Sequence, residues 1–470
     1  MKTLLFTTAL FLTLAATAQD SLLFYLSQAA RNNPTILQKY SEYQAALQKV
    51  PQAGSLPDPQ LDMGVFLTPM ELVSGNQVAE LRLMQMFPWF GTLRAAKDEM
   101  SLMANSKYEL FRDAKLQVLY DVQSTWYDLY KLRQNILISE KNLEILKTIE
   151  RIALVKFRTA SSGSSSSSSN GSSVPSTVEG NAGTGSKGMG GGMAGNTSGN
   201  TSVVPAQMPQ ANTMGSPASG SSLTDLYRIQ IETGDLENNV ALLNNQQNTL
   251  IAQFNSYLNR PPASPVSLPD TLIADSLGIP LLAVNDSMLA NNPMLGMLQY
   301  EEKSLDSRKK MVTRMGYPMI GLGVNYSIIN KNEMITSDMN GKDMIMPMVT
   351  LTLPIYRRKY RAMQAEADLE KNATAQNYTA SANNLKTEYY QAVQLYQDAQ
   401  RRMALYNNQS LLAGKSLDIM MQTFTVSGSG LTDVLRIQQQ TLDYDYRKVE
   451  ALADYNTAIA WLKRLMAFQY

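Results

Sequence analysis

The sequence of 470 residues predicts a mainly α-helical protein with a small β part, in which long coiled-coil helices and short strands are duplicated in tandem. Three observations indicate this fold class. Motifs recur in the same order in both halves, apolar residues follow heptad spacing over long helical segments, and apolar and polar residues alternate in four short segments. Repetition and periodicity, rather than any catalytic motif, are the main signals in this chain.

Motifs at the start and the end of the first half recur in the second half. Asn-Asn-Pro at 32–34 reappears at 291–293. LTDLYRIQ at 223–230 reappears as LTDVLRIQ at 431–438. Between these lies a further match in the same order: Phe87-Pro88-Trp89-Phe90 with Leu353-Pro354-Ile355-Tyr356. Matches in a conserved order indicate a tandem duplication.

Three segments precede, interrupt and separate the two repeats. Residues 1–18 contain a Lys, an apolar run and a small-x-small site, which predicts a cleaved secretory signal peptide. Residues 161–222 are rich in Ser and Gly and have no aromatic residue, Leu or Ile, which predicts a disordered insertion. The Pro-rich segment 261–280 is predicted to be a linker. The first repeat therefore occupies 19–260 and the second 281–470.

Long helices are predicted in both repeats. Residues 94–159 contain no Pro or Gly, and 361–424 contain only Gly414. A helix of that length spans roughly 100 Å. Spacings of four and three residues predict coiled-coil packing. One such series in the second repeat is Ala392, Tyr396, Ala399, Met403, Tyr406, Ser410, Ala413, Leu417, Met420 and Phe424.

Four segments change to a period of two, which is typical of strands with one apolar face. They lie at about 60–68, 78–88, 318–328 and 344–354. Soluble half-buried hairpins would give the same alternation, but two such hairpins in an exported chain favour lipid-facing strands. Aromatic residues of the kind found at membrane interfaces stand at the strand ends, namely Trp89, Phe90, Tyr317 and Tyr356.

Composition excludes several classes of function. Lys and Arg number 41 against 40 Asp and Glu, so a nucleic-acid binder is not expected. The chain has no His and no Cys, which removes Ser-His-Asp and Cys-His catalysis, zinc sites, disulfides and lipidation of a Cys. We therefore expect neither an enzyme nor a cofactor.

Four strands cannot close a barrel in a membrane, because an open edge would leave backbone groups unpaired in lipid. The chain is therefore expected to oligomerise, with each copy supplying two hairpins. Long helices that continue from the strands would extend such a barrel as a helical tube. A tube that is open through both parts would act as a conduit.

These motifs resemble the TolC-like outer-membrane efflux proteins over essentially the whole mature chain. The resemblance implies a homotrimer with a 12-stranded transmembrane β-barrel and a periplasmic α-barrel in the outer membrane of a Gram-negative cell. It also implies a periplasmic adaptor and an inner-membrane pump as partners. The heavy-metal cation branch is one part of the family to which the chain could correspond.

The resemblance also assigns roles to residues at the two helix turns. It implies that the periplasmic tip, where the adaptor docks, includes Val426, Gly428, Gly430, Leu431 and Leu223. It further implies that the closed aperture is ringed by Asp225 and Asp433, where this chain adds Arg228 and Arg436. We hypothesise that Asp–Arg pairs lock the closed tip, although solvated charges at helix starts would also account for these residues.

Methionine is unusually frequent, with 27 residues. Thioethers are soft ligands that suit Cu(I) and Ag(I), so metal handling is one hypothesis, and flexible packing is the alternative. Strand alternation also predicts that Met84, Met86, Met319 and Met348 face the lumen. The candidate ligands in the insertion are Met189, Met193, Met208 and Met214.

The leading functional interpretation is a passive exit duct of a tripartite efflux system, with copper or silver as one candidate cargo. One alternative is a periplasmic coiled-coil scaffold, in which the alternating segments are soluble hairpins. Another is a Met-rich copper-binding protein. The sequence does not identify the transported substrate.

Overall fold

A computed structural model of the chain describes residues 20–163, 223–278, 280–334, 336, 338–427 and 430–468. The predicted signal peptide, most of the predicted insertion and Gly428 therefore lie outside the described residues. Helices and strands follow one another in this order: α1 Asp20–Asn32, α2 Pro34–Gly54, β1 Gln60–Leu72, β2 Gly75–Phe87, α3 Thr92–Gly163, α4 Leu223–Tyr257, α5 Leu281–Asn291, α6 Pro293–Met315, β3 Met319–Asn330, β4 Met344–Thr352, α7 Arg357–Ser427 and α8 Leu431–Leu465.

The same order of elements occurs twice along the chain. Two short helices, two strands and two long helices make up the series α1 to α4, and the same series is found from α5 to α8. The predicted fold class, mainly α with four strands per chain, is confirmed. Among the described residues, no helix is apolar over a stretch long enough to span a bilayer.

The repeated Asn-Asn-Pro motif places a helix start in each repeat. The Asn33 side chain caps α2, because its Oδ1 accepts hydrogen bonds from the backbone N–H groups of Thr35 (2.9 Å) and Ile36 (3.3 Å). Asn292 caps α6 through Met294 N–H at 2.9 Å. The Pro that follows each cap stands at the first helical positions, where it loses no helical hydrogen bond.

The four strands form one antiparallel sheet in the order β1-β2-β3-β4. Its central pair, β2 with β3, joins the two repeats, and its outer strands β1 and β4 are each paired on one side only. The register shifts in β1 between Val65 and Met70, around Pro69, which cannot donate a ladder hydrogen bond. β1 continues to Leu72, beyond the predicted end near residue 68.

The register places the helix-bearing ends of all four strands at the same edge of the sheet. Met319 pairs with Thr352, Ile320 with Phe87, and Gln60 with Met84. We call this end of the strands the helical edge, because α2, α3, α6 and α7 adjoin it in sequence. It is distinct from the two free edges of the sheet, which are the outer strands β1 and β4. The two hairpin loops lie at the opposite edge.

The chain divides into two compact units. The first comprises the described residues up to Lys141, 237–414 and the described residues from Gln440 onward, and it contains the sheet. The second comprises the described parts of 142–236 and 415–439.

Two apolar clusters hold the first unit together. One packs α1 against α3 and α4, with Tyr25, Trp126 and Phe254 buried at its centre. The other packs α5 against α7 and α8 and includes Met288 and Leu462. Each repeat thus buries its first short helix against its own long helices. The Pro-rich linker is fixed to the same unit, since Ser267 N donates to the Tyr25 hydroxyl at 2.8 Å and Leu272 N to the Tyr130 hydroxyl at 3.0 Å.

Candidate functional site

One face of the sheet is apolar and exposed on all four strands. Apolar residues on neighbouring strands are direct cross-strand partners on this face: Leu61 pairs with Leu83, and Leu83 pairs with Val324. Leu67 is 100% exposed and Val349 is 74% exposed. The remaining exposed apolar residues of this face include Met63, Val65, Phe87, Ile320, Leu322, Ile345 and Leu351. The predicted alternation therefore produces an exposed, mainly apolar surface across all four strands, interrupted by Gln85 opposite Leu322.

The opposite face of the sheet carries polar residues that bond across strands. Glu80 Oε1 accepts from Arg82 Nη2 at 2.9 Å and from Asn325 Nδ2 at 2.7 Å. Gln77 Nε2 donates to Ser327 Oγ at 3.2 Å. The face therefore combines charge with hydrogen bonds that join neighbouring strands, although Arg82 Nε and Asn325 Oδ1 have no partner among the described residues.

Methionine side chains share this polar face, as the alternation predicts for four of them. Met84 and Met348 pair with Gly323 from its two sides, and Met86 pairs with Gly321. A Cβ added at Gly321 would stand 2.6 Å from Met86 Sδ, so the thioether lies over the space that this glycine leaves open. Met319 lies on the same face at the helical edge, two residues before Gly321.

Aromatic residues cluster where the strands meet the helices. Trp89 and Tyr317 stack with ring centroids 5.4 Å apart and planes at 20°. Phe90 is 83% exposed and Tyr356 is 82% exposed. Arg314 fixes the turn beneath the stack by donating from Nη1 to the carbonyl of Gly91 at 2.5 Å.

The turn between α7 and α8 lies in the second unit. Val426 is 89% exposed near the end of α7, whereas Leu431 is 5% exposed at the start of α8. Gly430 adopts φ +90°, and its carbonyl accepts from the N–H groups of Asp433 and Val434 at 3.0 Å. At the corresponding end of the insertion, Leu223 begins α4 and is 46% exposed.

The predicted aperture residues make contacts within one chain. Arg436 Nη2 lies 2.9 Å from Asp433 Oδ1, three residues earlier on α8, and both side chains are exposed. Arg228 instead reaches across to α8, where its Nη1 donates to Thr432 Oγ1 at 3.4 Å. Asp225 stands in the first turn of α4. Between the described residues, the structure therefore joins Arg436 to an aspartate and Arg228 to a threonine.

Sequence reasoning missed the polar contacts that join helices within the second unit. Gln439 Nε2 donates to Glu232 Oε2 at 2.6 Å between α8 and α4. Gln438 Nε2 donates to Asn142 Oδ1 at 3.1 Å, and both residues are buried. Arg228 and Glu232 are four residues apart on α4, so helical spacing could have placed them on one face of that helix. The same holds for Thr432 and Arg436 on α8. Spacing within each helix could not have shown that these two faces meet.

The candidate metal ligands of the insertion cannot be placed. Met189, Met193, Met208 and Met214 lie outside the described residues. In the part of the chain that the structure describes, no group of three or more His, Cys, Asp or Glu could hold a metal ion.

No family model and no curated protein matches this chain. Solved structures do match it over nearly its whole length. The outer membrane protein VceC from Vibrio cholerae is 12% identical with a TM-score of 0.67, over 95% of this chain and 96% of VceC. The outer-membrane channel OprN is 12% identical with a TM-score of 0.70, over 96% of this chain and 90% of OprN.

A third match is the CmeC outer membrane channel of Campylobacter jejuni, which is 12% identical with a TM-score of 0.69, over 95% of this chain and 85% of CmeC. At identities this low, the structural likeness establishes the fold alone. The predicted resemblance is confirmed at that level: the chain has the TolC-like fold of the outer-membrane efflux channels.

Proposed function

We propose that this chain forms the outer-membrane channel of a tripartite efflux system, a passive exit duct for substrates that an inner-membrane pump and a periplasmic adaptor deliver. The observation that carries the proposal is the exposed, mainly apolar face of the four-stranded sheet, in a chain with the fold of outer-membrane channels. Strands with an apolar face toward lipid and a polar face toward a lumen are typical of transmembrane barrels.

The free edges of the sheet support a closed oligomer, for which we propose the homotrimer that the family resemblance implies. β1 and β4 are each paired on one side only. In a bilayer the second side of each edge strand needs a partner, because unpaired backbone groups in hydrocarbon cost several kcal/mol each. If β4 of one copy pairs with β1 of the next, three copies close a barrel of twelve strands. The location would be the outer membrane, reached through the cleaved signal peptide and without a lipid anchor, since the chain has no Cys.

The exposed turn residues support adaptor docking in the second unit. Val426 and Leu223 are exposed apolar residues next to the two turns, so we propose that they contact the adaptor. Gly430 allows the reversal, and we propose the same role for Gly428 by its position in the turn. Leu431 is buried, so its role would be to hold the turn rather than to touch the adaptor. We propose that Asp225, Arg228, Asp433 and Arg436 line the aperture.

Conductance of the full mature chain tests this function. Purified in detergent, the chain should run as a heat-sensitive oligomer and should give discrete ion conductance in planar bilayers. A water-soluble monomer that does not partition into lipid would contradict the proposal. The shared fold with outer-membrane channels favours the duct over a periplasmic scaffold or a copper store.

Soft metal ions are a second, finer candidate for the cargo. The observation that favours them is the set of thioethers on the polar face of the sheet, with Met84 and Met348 on either side of Gly323. Cu(I) binding by the reconstituted chain should weaken when Met84, Met86, Met319 and Met348 become Leu. The isolated 161–222 peptide should bind Cu(I) more tightly than a Met-free scrambled control if the insertion takes part. Equal binding in both comparisons would leave methionine as packing material.

A further inference from the structure

Four basic residues open α7 directly after the sheet, and we call them the junction patch: Arg357, Arg358, Lys359 and Arg361. All four are exposed. Among the described residues none of them takes part in an ion pair, although basic residues further along α6 and α7 do, such as Lys309 with Asp368 at 2.7 Å and Lys371 with Asp306 at 2.9 Å. The chain neutralises charge between these helices but leaves it uncompensated at the helical edge.

Helix stability does not explain this placement. The first turn of α7 contains no acidic residue. The positive end of the helix dipole disfavours cations there, by typically about 0.3–1 kcal/mol each near the surface. A feature that costs helix stability and has no carboxylate partner points to an anion that the chain itself does not supply.

The junction patch continues an apolar surface. β4 ends at Thr352, and the next residues toward the patch include Leu353 (60% exposed), Ile355 (78%) and Tyr356 (82%). Ile355 and Tyr356 extend the exposed apolar face of the sheet to the first residue of α7. Apolar residues, an aromatic residue and then cations in succession match the layers of a bilayer leaflet from hydrocarbon through interface to headgroup.

Other helices add to the charge at the same edge. Arg94 and Lys97 near the start of α3, and Lys310 near the end of α6, are exposed as well. The exposed carboxylates near this edge are Asp58, Asp98, Glu301 and Glu366, and Glu366 is already paired with Arg308 at 3.3 Å. Basic residues therefore exceed acidic ones locally, whereas the chain as a whole has a formal net charge of only +1.

We propose that the junction patch binds the phosphate headgroups of anionic lipids in the leaflet that the helical edge meets. Arginine suits this partner because its planar guanidinium forms paired hydrogen bonds to phosphate oxygens. The inference rests on the proposed function, since it requires the sheet to lie in a bilayer. It adds a lipid preference that insertion alone does not require.

Spin-labelled lipids test the preference on the full mature chain in phosphatidylcholine vesicles. The association of labelled phosphatidylglycerol is measured relative to labelled phosphatidylcholine, for the wild type and for the variant Arg357→Gln, Arg358→Gln, Lys359→Gln and Arg361→Gln. The relative association constant should fall severalfold in the Gln variant, toward the value of one that means no preference. The preference should also weaken with added salt, and inorganic phosphate should weaken it more than chloride does at equal ionic strength, because it accepts the same paired hydrogen bonds.

A matched control removes the same charge elsewhere on the helices. The control is a single fourfold variant in exposed basic residues of α3, α7 and α8, namely Lys141→Gln, Arg151→Gln, Lys415→Gln and Lys448→Gln. It should leave the lipid preference unchanged. A charge-preserving variant with Lys at the three arginines should retain most of the preference. If the fourfold Gln variant loses its helical circular dichroism signal, Arg357→Gln with Arg358→Gln replaces it.

The outcomes separate the two proposals. An unchanged preference in the Gln variant that still inserts and conducts overturns the lipid assignment and leaves the channel intact. Loss of the oligomer with an unchanged preference also overturns it, because the patch would then contact a second copy of the chain. Failure of the wild type to insert into any vesicle overturns the proposed function itself.

Discussion

Trp89 stacks on Tyr317 with ring planes 20° apart, so the junction after β2 and the junction before β3 share one aromatic contact between the two repeats. A stacked pair contributes about 0.5–1.5 kcal/mol beyond its buried area. We expect the double-mutant cycle of Trp89→Leu and Tyr317→Leu to give a coupling energy in that range, measured by urea unfolding from vesicles. The same cycle with Tyr356→Leu in place of Tyr317→Leu is the control and should give a value near zero. A coupling near zero for both pairs would show that the stack contributes no energy.

Ile345→Arg should impair insertion far more than Met346→Arg. These neighbours in β4 lie on opposite faces, with Ile345 67% exposed on the apolar face and Met346 opposite Asn325 on the polar face. An Arg facing lipid near mid-membrane costs about 2–4 kcal/mol, whereas the polar face tolerates charge. The fraction of chain folded in vesicles, read from heat modifiability, measures the difference. Equal losses would contradict the assignment of the faces.

Two glycines should respond to Ala in opposite directions. Gly414 lies inside α7 with no atom within 4 Å of an added Cβ, so Gly414→Ala should stabilise the chain by about 0.5–1 kcal/mol. Gly430 also has open space but holds φ +90°, so Gly430→Ala should destabilise it by about 1–2 kcal/mol. The apparent melting temperature of the helical signal measures both. A gain from Gly430→Ala would show that this turn does not need the left-handed conformation.

Arg436→Ala should raise the single-channel conductance if Asp–Arg pairs lock the aperture. The pair with Asp433 is exposed and lies within one helix, where it contributes about 0.3–0.5 kcal/mol to α8. A larger effect on closure would therefore come from contacts between copies at the aperture. Asp433→Ala should raise conductance in the same way, with Lys415→Ala as a control. Unchanged closure in both variants would reject the lock.

Glu99→Gln should stabilise the first unit at neutral pH. Glu99 is 7% exposed, and burial raises the pKa of its carboxyl above the ordinary value, with Glu370 adding to the effect and Arg308 opposing it. A raised carboxyl pKa stabilises the fold below the unfolded pKa, about 4.3, and this contribution is lost as pH rises through the folded pKa. The variant should therefore melt higher than the wild type at neutral pH and equally near pH 4.

The exposed neighbour supplies the control for that comparison. Asp98→Asn removes a carboxylate one residue away, and Asp98 is exposed. It should leave the melting temperature unchanged at both pH values. A Glu99→Gln variant that melts lower than the wild type at neutral pH would show that attraction to Arg308 outweighs burial.

Periodicity predicted the parts of the fold that depend on local pattern. The alternation in β3 placed Leu322 and Gly323 on opposite faces, and the register confirms this. The absence of Pro and Gly predicted α3 to within a few residues. Heptad spacing could not predict that Gln439 meets Glu232, because that contact depends on how two separate helices are rotated against each other. The sequence could not predict the stack of Trp89 on Tyr317 either, because that contact depends on the pairing of β2 with β3 from different repeats.

The pairing of β2 with β3 has a consequence for how the protein is made. Along the chain, α3, α4, α5 and α6 separate β2 from β3, so the two strands can pair only after all four helices have been made. During that interval β2 presents an unpaired, partly apolar edge that any extended segment nearby can join. Until both hairpins are available to pair, the chain therefore carries an aggregation hazard, and depletion of chaperones that hold unfolded chains should cause it to aggregate before the sheet is complete.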